Sequence, residues 1–328
     1  MAGADIAMAV NIITAHGDVV CCPAVEEGVT LEWSRRGSPG RLRFNAVNDG
    51  LLHISEGDPV RLSVDGTDMF YGFVFTKDID SGSSHLIGVT AYDQLRYFKN
   101  KDTYNFADKT ADEIVTMLAA DFRLRTGALS PTGYRIASLP EDDAALFDMV
   151  GDALDETLRA TGKLYVLYDD AGRLTLRDVE DMKTDILIDR DTAGAYSYTS
   201  SIDTGTYDQI KISYNDLSGG RRSIFIAKNS AHINEWGLLQ YTDTVELADS
   251  GAAKADALLR LYDRKTRKLR ISDARGDVRV RAGSSVICRF TLDDIEVSSY
   301  LMVEKVTHTF SGSEHTMSLE LRGGTFGT

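Results

Sequence analysis

The sequence predicts a mainly β protein with α+β inserts, built on two tandem antiparallel β-barrels or sandwiches. Three observations carry this. Apolar and polar residues alternate with a period of two through residues 30–98, and the pattern returns after residue 207. Helical spacing is confined to three stretches between and within those regions. Finally, FYGFVFTKDIDSGSSHLIGVTAYD (70–93) lies without gaps on YLMVEKVTHTFSGSEHTMSLELRG (300–323). Two β regions that match each other imply two copies of one β module.

The chain of 328 residues is long enough for two or three domains with a proper core. The opening MAGADIAMAVNIITAHG shows no positive leader and no apolar run of membrane-spanning length. Cys21, Cys22 and Cys288 are an odd set with no C-x-x-C, a poor disulfide or zinc framework. Synthesis in a reducing cytoplasm is the expectation.

In the first β region, Leu42, Phe44 and Ala46 alternate with Arg41, Arg43 and Asn45, and Val60, Leu62 and Val64 with Arg61 and Ser63. Phe73 and Phe75, then Ile87, Val89 and Ala91, keep the period. Asn48-Asp49-Gly50, Asp65-Gly66 and Ser81-Gly82-Ser83 punctuate the strands as turns.

The period then changes. Thr110 and Glu113 form a capping box before Ile114, Val115, Leu118 and Phe122, and this helix is expected to stop near Gly127. A second helix is expected from Glu141 to Ala160, with Leu146, Met149, Val150, Ala153, Leu154 and Leu158 inward and Gly162 as its C-terminal cap. The hairpin LYVLY–DDAG–RLTLRDV follows. Tyr207–Tyr214 and SIFIA read as strands, and 252–268 as a third helix with Leu258, Leu261 and Tyr262 inward. Residues 278–290, 299–310 and 314–322 return to strands. The expected organisation is therefore a first barrel at 1–97, a helix–helix–hairpin insert at 98–184, a second barrel from 185–226 and 270–328, and a helical insert at 227–269.

Little in the chain points to chemistry. The six histidines (His16, His53, His85, His232, His308 and His315) make no H-E-x-x-H, and His85 and His315 read as residues that start a strand after a polar turn. Glu141, Asp142, Asp143, Asp148, Asp152, Asp155 and Glu156 give the second helix an acidic face, with the first three placed to suit its dipole. A glycosidase needs two carboxylates converging on one bond, whereas acids along one helix point side by side into water or a partner. Asp169-Asp170 and Asp293-Asp294 read as turns, not calcium loops. No G-x-S-x-G, P-loop or dinucleotide fingerprint is present. No catalytic, cofactor-binding or metal-binding residue is assigned.

The formal net charge of −14 opposes duplex nucleic acid as a partner. One cationic segment runs against that balance: Arg264, Lys265, Arg267, Lys268, Arg270, Arg275, Arg279 and Arg281 put eight cations in eighteen residues. It reads either as a patch for an acidic partner or as a helix end followed by exposed strand positions.

WSRRGSPGRLRFNAV (33–47), EGDPVRLSVDGTDMFYGFVF (56–75) and AYDQLRYFKNKDTYNF (91–106) closely resemble the XkdQ/YqbQ-type tail proteins of contractile-tailed phages and phage-tail-like bacteriocins. The helix KTADEIVTMLAADFRL, the Thr157-x-x-x-Thr161-Gly162-Lys163 helix end and NEWGLLQY (234–241) extend the match in order from about residue 29 to the C-terminus. The family is similar to the baseplate hubs of contractile tails and to the base of VgrG-type spikes. The resemblance implies a non-enzymatic structural role in a virion or phage-tail-like particle. It implies a homotrimer whose two tube-protein-like barrels per chain make a pseudo-six-fold ring between a hexameric tail tube and a trimeric central spike. A tube-initiator protein, baseplate wedge proteins and a tape-measure protein are further implied partners, with no specific nucleic acid, no membrane segment and no cofactor. An acidic channel wall would let a nucleic acid or tape-measure chain pass without sticking.

On that reading AYDQLRYFKNKDTYNF is a module junction. Ala91 and Leu95 continue the first barrel's inner face. Tyr92, Tyr97, Tyr104 and Phe106 suit a packed joint or subunit interface, and Arg264, Lys265, Arg267 and Lys268 are the other interface candidates. Lys99, Lys101 and Asp102 face solvent or a neighbouring chain. The alternatives are a tail-associated cell-wall hydrolase and a carbohydrate- or nucleic-acid-binding β module, in which the aromatics stack bases and the lysines hold phosphates.

Overall fold

The computed structural model describes residues 8–83, 85–203, 205–216, 221–245, 251–292 and 296–323. Ser84 and the expected Asp293-Asp294 turn lie outside them. The chain divides into a larger unit, residues 1–197 and 270–328, and a smaller one, residues 198–269.

The larger unit begins with β1 (Val10–His16), β2 (Val19–Cys21), β3 (Val29–Ser34), β4 (Arg41–Val47), β5 (Pro59–Val64), β6 (Thr67–Asp78) and β7 (Leu86–Tyr92). They follow one another antiparallel in the order β3-β4-β7-β6-β5-β1-β2. Alternation decides which faces are buried. Leu42, Phe44 and Ala46 face inward, as do Leu62, Val64, Ile87, Val89 and Ala91. In β6 the inward set is Phe70, Gly72 and Val74, so Phe73 and Phe75 lie on the outer face. Asp65 and Gly66 both take positive φ, 48° and 80°, the backbone of a tight primed turn.

A 3-10 turn over Gln94–Lys99 leads to β8 (Lys101–Lys109), α1 (Ala111–Asp121), β9 (Thr126–Leu129), β10 (Ile136–Ala145), α2 (Leu146–Thr161), β11 (Tyr165–Asp169) and β12 (Leu174–Asp178). The capping box at Thr110 and Glu113 is formed. That helix ends at Phe122, before the expected Gly127, because Arg123 turns left-handed (φ 55°) and 126–129 pairs with β12. The second helix starts five residues later than expected. Glu141-Asp142-Asp143 lies on β10 beside β8, at a bulge where Asp143 takes φ 47°, so these acids do not serve the helix dipole. Periodicity misplaces this start because a bulged strand feeding a helix keeps apolar residues roughly helix-spaced. Gly162 caps α2 with φ 71° as expected. Leu95 and Phe98 belong to the insert's own core with Phe106, Ile114, Leu118, Leu146 and Met149, so Leu95 does not continue the first module's inner face.

β13 (Lys183–Ile188) and β14 (Ala195–Ser201) follow. The chain passes to the smaller unit within β14 and returns within β18 (Thr266–Arg275). The smaller unit holds β15 (Gln209–Asp216), β16 (Arg221–Lys228), α3 (Ser230–Trp236), β17 (Gln240–Val245) and α4 (Gly251–Tyr262). Its sheet has the order β16-β15-β17, and Ile210, Ile212 and Ala227 pack with Ala255, Leu258 and Tyr262 of α4. β15 and β16, grouped with the second barrel from sequence, pair instead in this unit's own sheet. Leu261 is exposed, contrary to expectation, and the expected helix to residue 268 stops at Tyr262, with 266–275 extended.

β19 (Ser285–Thr291), β20 (Glu296–Ser311) and β21 (Glu314–Arg322) complete the larger unit. Residues 278–284, expected as strand, form a turn instead. The second module has the order β14-β18-β21-β20-β19-β13, strand for strand that of β3-β4-β7-β6-β5-β1. The outermost pair differs: β1 runs antiparallel to β5 and β13 parallel to β19.

The copies agree in detail. Gly57 and Gly283 share φ 91°. Each donates its N–H to a β-hairpin carbonyl at 2.8 Å, Gly57 to Val74 and Gly283 to Val303. Val74 and Val303 in turn donate to Asp58 and Ser284. These ladders equate Val74 with Val303 and Val89 with Leu319, so the second turn carries one more residue than the ungapped sequence match assumes. Only glycine adopts this backbone without strain. Gly57→Ala should cost about 1 kcal/mol, and Gly283→Ala more, because its Cβ would come within 2.9 Å of Val166. Urea denaturation of the two variants checks the order.

The two modules of one chain are joined edge to edge. β3 pairs antiparallel with β20 from Lys305↔Ser34 to Phe310↔Val29, so one hydrogen-bonded sheet runs through both.

Candidate functional site at the module joint

The segment Arg35-Arg36-Gly37-Ser38-Pro39-Gly40, between β3 and β4, ties three parts of the larger unit together. Arg35, its side chain only 7% exposed, makes a forked pair with Glu304 on β20, at 2.8 and 3.0 Å. Its backbone N–H donates to the Glu304 carbonyl. Arg36 pairs with Asp155 on α2. The Gly40 N–H donates to Asp93 Oδ2 at 2.8 Å. A Cβ on Gly40 would overlap Asp93 and Trp33, so only glycine fits this crossing.

Asp93 is the hub of a buried polar network. Its Oδ1 accepts from the Leu95 N–H and caps the 3-10 turn. Gln94 Nε2 donates to Asp169 Oδ2 at 3.0 Å, and Gln94 Oε1 accepts the Arg125 N–H at 2.8 Å. Asp169 Oδ1 takes the Gly172 N–H of the β11–β12 turn. Arg281, from the second module, lies 3.8 Å from the Tyr168 ring centre and 5.0 Å from that of Trp33, and donates to the Asp169 carbonyl and to Asp170. Burial, and then the neighbouring Asp169, pushes the Asp93 carboxyl well above its ordinary range. Burial likewise raises Asp169. First module, insert and second module therefore meet on two buried carboxyls and one stacked guanidinium. Composition gave no hint of this, since Asp93, Asp169 and Arg281 are far apart in sequence.

The aromatics of the junction fall into two groups. Tyr92 and Tyr97 lie on the outer face of the first module against Phe75 and Phe73, with ring centres 5.5–6.5 Å apart, and Arg96 caps Phe75 at 5.2 Å. Phe73 and Tyr97 border a cleft of about 320 Å³ that Tyr71, Gln94, Phe122 and Arg125 also line. Tyr104 and Phe106 belong to the insert. Phe106 is 1% exposed in its core, which removes it as a subunit-interface candidate. Tyr104 stacks on it at 5.2 Å and donates to Asp121 at 2.8 Å, and burial together with that bond raises the phenol to about 12. Lys99, Lys101 and Asp102 are exposed as expected.

The basic segment is not a helix end. Arg264 and Lys265 follow α4 in a loop, and Arg267, Lys268 and Arg270 lie on β18. Arg267 donates to the Tyr198 hydroxyl at 3.1 Å. Arg270 pairs with Glu320, and Arg279 with Asp277 and Asp185. The acids of α2 do cluster, and burial followed by Asp155 and Asp148 raises the Asp152 carboxyl.

One pair escaped sequence reasoning. His315 is not simply a strand-starting residue. His308, fully buried, donates from Nε2 to the Val280 carbonyl at 2.9 Å, so its Nδ1 accepts the His315 Nε2–H at 2.8 Å. His308 also stands edge-on to Trp33 at 5.3 Å. Burial lowers His308 to about 3 and lowers His315 as well. A base whose folded pKa is depressed stabilises the fold above its unfolded value near 6.5, and the contribution drains away as pH falls toward 3. His308→Met should be less stable at neutral pH yet lose less stability on acidification, as thermal melts at several pH values would report. The register that brings 308 to 315 across a hairpin is set by the ladder, not by any motif.

Among the described residues, no three His, Cys, Asp or Glu side chains are placed to hold a metal ion, and no helix is long and apolar enough to cross a membrane.

A model of the family described as YQBQ-like matches residues 29–322. The chain is 31% identical over 308 residues to the uncharacterized protein YqbQ of Bacillus subtilis (strain 168), covering 90% of this chain and 92% of that one. It is 30% identical to the phage-like element PBSX protein XkdQ of the same strain, with the same coverage. Among solved structures, the 43 kDa tail protein of prophage MuSo2 from Shewanella oneidensis superposes with a TM-score of 0.70 at 11% identity, over 96% of this chain and 98% of that one. The E. coli c3393 protein, described as a type VI secretion component with structural similarity to T4 tail proteins gp27 and gp5, gives 0.54 at 9% identity, over 92% and 74%. These two likenesses are of fold.

Proposed function

The chain belongs to the YQBQ-like family, and from that premise we propose that it is a structural baseplate hub of a contractile phage tail or phage-tail-like particle. Three copies form a pseudo-six-fold ring that joins a hexameric tail tube to a trimeric central spike. The observation that carries this reading is the duplication: β3-β4-β7-β6-β5 and β14-β18-β21-β20-β19 are one strand order written twice. A trimer of single modules offers three equivalent contacts, whereas a trimer of such pairs offers six nearly equivalent ones. The β3–β20 ladder and the Arg35–Glu304 fork support the second half of the argument, because they hold the two modules of one chain side by side. The reading makes the protein a virion or particle component that acts by geometry, with no enzymatic step. Tube or tube-initiator, spike, wedge and tape-measure proteins are its partners.

Co-expression with the spike protein, followed by native mass measurement and negative-stain imaging, tests this. A three-chain ring with a central hole and six lobes is expected. A monomer in the presence of the spike would overturn it. A peptidoglycan digestion abolished by one Asp or Glu substitution would put the hydrolase in its place.

A further inference from the structure

We propose that neighbouring copies of this chain join by strand addition, β14 of one copy pairing antiparallel with the open edge at the end of β6, residues 76–78, in the next. This rests on the ring reading and states which edges close it. The argument is the internal symmetry of the chain. The shared strand order equates β3 with β14 and β6 with β20. Within the chain, β3 already occupies the edge of β20 over Lys305–Phe310. If that junction is repeated between copies, the strands that form it are the two left over, β14 and β6.

Both edges are available. β5 covers β6 only as far as Phe73, and the last backbone bonds on that side are those of Val74 with Gly57 and Asp58. Beyond Val74, no described strand pairs with β6 on the side away from β7. The loop beside this edge does not close it. Its buried Ile54 holds the place of Val280 in the other copy, three residues before Gly57 and Gly283. Ile54 O receives Lys77 Nζ much as Val280 O receives His308, yet in the second copy β3 still pairs along the edge. On the other side, β14 pairs among the described residues with β18 alone. Its sequence, AYSYTSS, has no charge, proline or bulge residue of the kind that protects a solvent-facing edge. A free edge strand without such protection is built to be paired.

The alternation of a strand makes the proposal testable by cysteine scanning. Cys21 and Cys22 are replaced by serine, and Ser197→Cys is combined in one chain with a single cysteine at position 76, 77 or 78. Oxidation of the full chain co-expressed with the spike should shift material from the one-chain band to two- and three-chain bands. The shift should be strong at one register and weak at its odd-numbered neighbours, because facing residues alternate sides. A three-lobed or six-lobed ring that forms without any cross-link overturns the β14–β6 junction and leaves the hub reading standing. Cross-linked chains longer than three support the junction and overturn the closed ring. Absence of both ring and cross-link overturns both.

Discussion

Phe106→Ala is expected to destabilise the protein by about 3–5 kcal/mol, the range for emptying a buried aromatic site. Phe106 sits among Phe98, Ile114, Leu118, Leu146 and Met149, where helices α1 and α2 close over β8. Nothing nearby is loose enough to fill the space: Ile114, Leu118 and Leu146 are themselves fully buried, and β8 is held to β10 by its ladder. Tyr104, stacked on its ring, loses that face as well. Urea denaturation would measure the loss. Tyr97→Ala, by contrast, removes a half-buried ring from the first module's outer face, and should cost clearly less stability. If Phe106→Ala left the unfolding midpoint unchanged while blocking assembly, Phe106 would be an interface residue after all.

Arg281→Ala should have the second largest effect, about 2–4 kcal/mol at neutral pH, because removing one partner of a buried charge cluster leaves the others uncompensated. Arg281 contributes its stacking on Tyr168 and Trp33, its bonds to the Asp169 carbonyl and Asp170, and its field on Asp93 and Asp169. Lysine cannot restore the planar stack or the forked donors, so Arg281→Lys should recover little. The pH dependence is diagnostic. Asp93 and Asp169 hold their protons to higher pH when folded than when unfolded. Groups of that kind favour the fold in acid, and the contribution fades as pH rises through their raised values. Without Arg281 the values rise further, so the deficit should be greatest near pH 7 and shrink toward pH 4. Chemical denaturation of wild type and variant at both pH values gives the answer, and a deficit independent of pH would assign Arg281 a packing role only.

The β modules were legible because a sheet with one buried face writes its register into the chain. Leu42, Phe44 and Ala46, or Met317, Leu319 and Leu321, can be read inward from alternation alone. The capping box of α1 and the glycine cap of α2 are local chemistry and were equally plain. Element ends were less so. The start of α2 and the end of α4 depend on whether a flanking segment finds a strand partner, β8 for 136–145 and the β18 ladder for 266–275. That is settled by residues far away in sequence.

What the sequence determined by itself is the repeated unit: two hairpins with matching inward faces, and a helical insert between them. Tertiary structure alone decided how the units are joined. The β3–β20 ladder, the Asp93–Asp169–Arg281 cluster and the His308–His315 pair each bring together residues that no local pattern links. Alternation records which face of a strand is buried, but backbone hydrogen bonds at a strand's edge are the same for every residue type, so the choice of neighbour leaves almost no trace in the sequence.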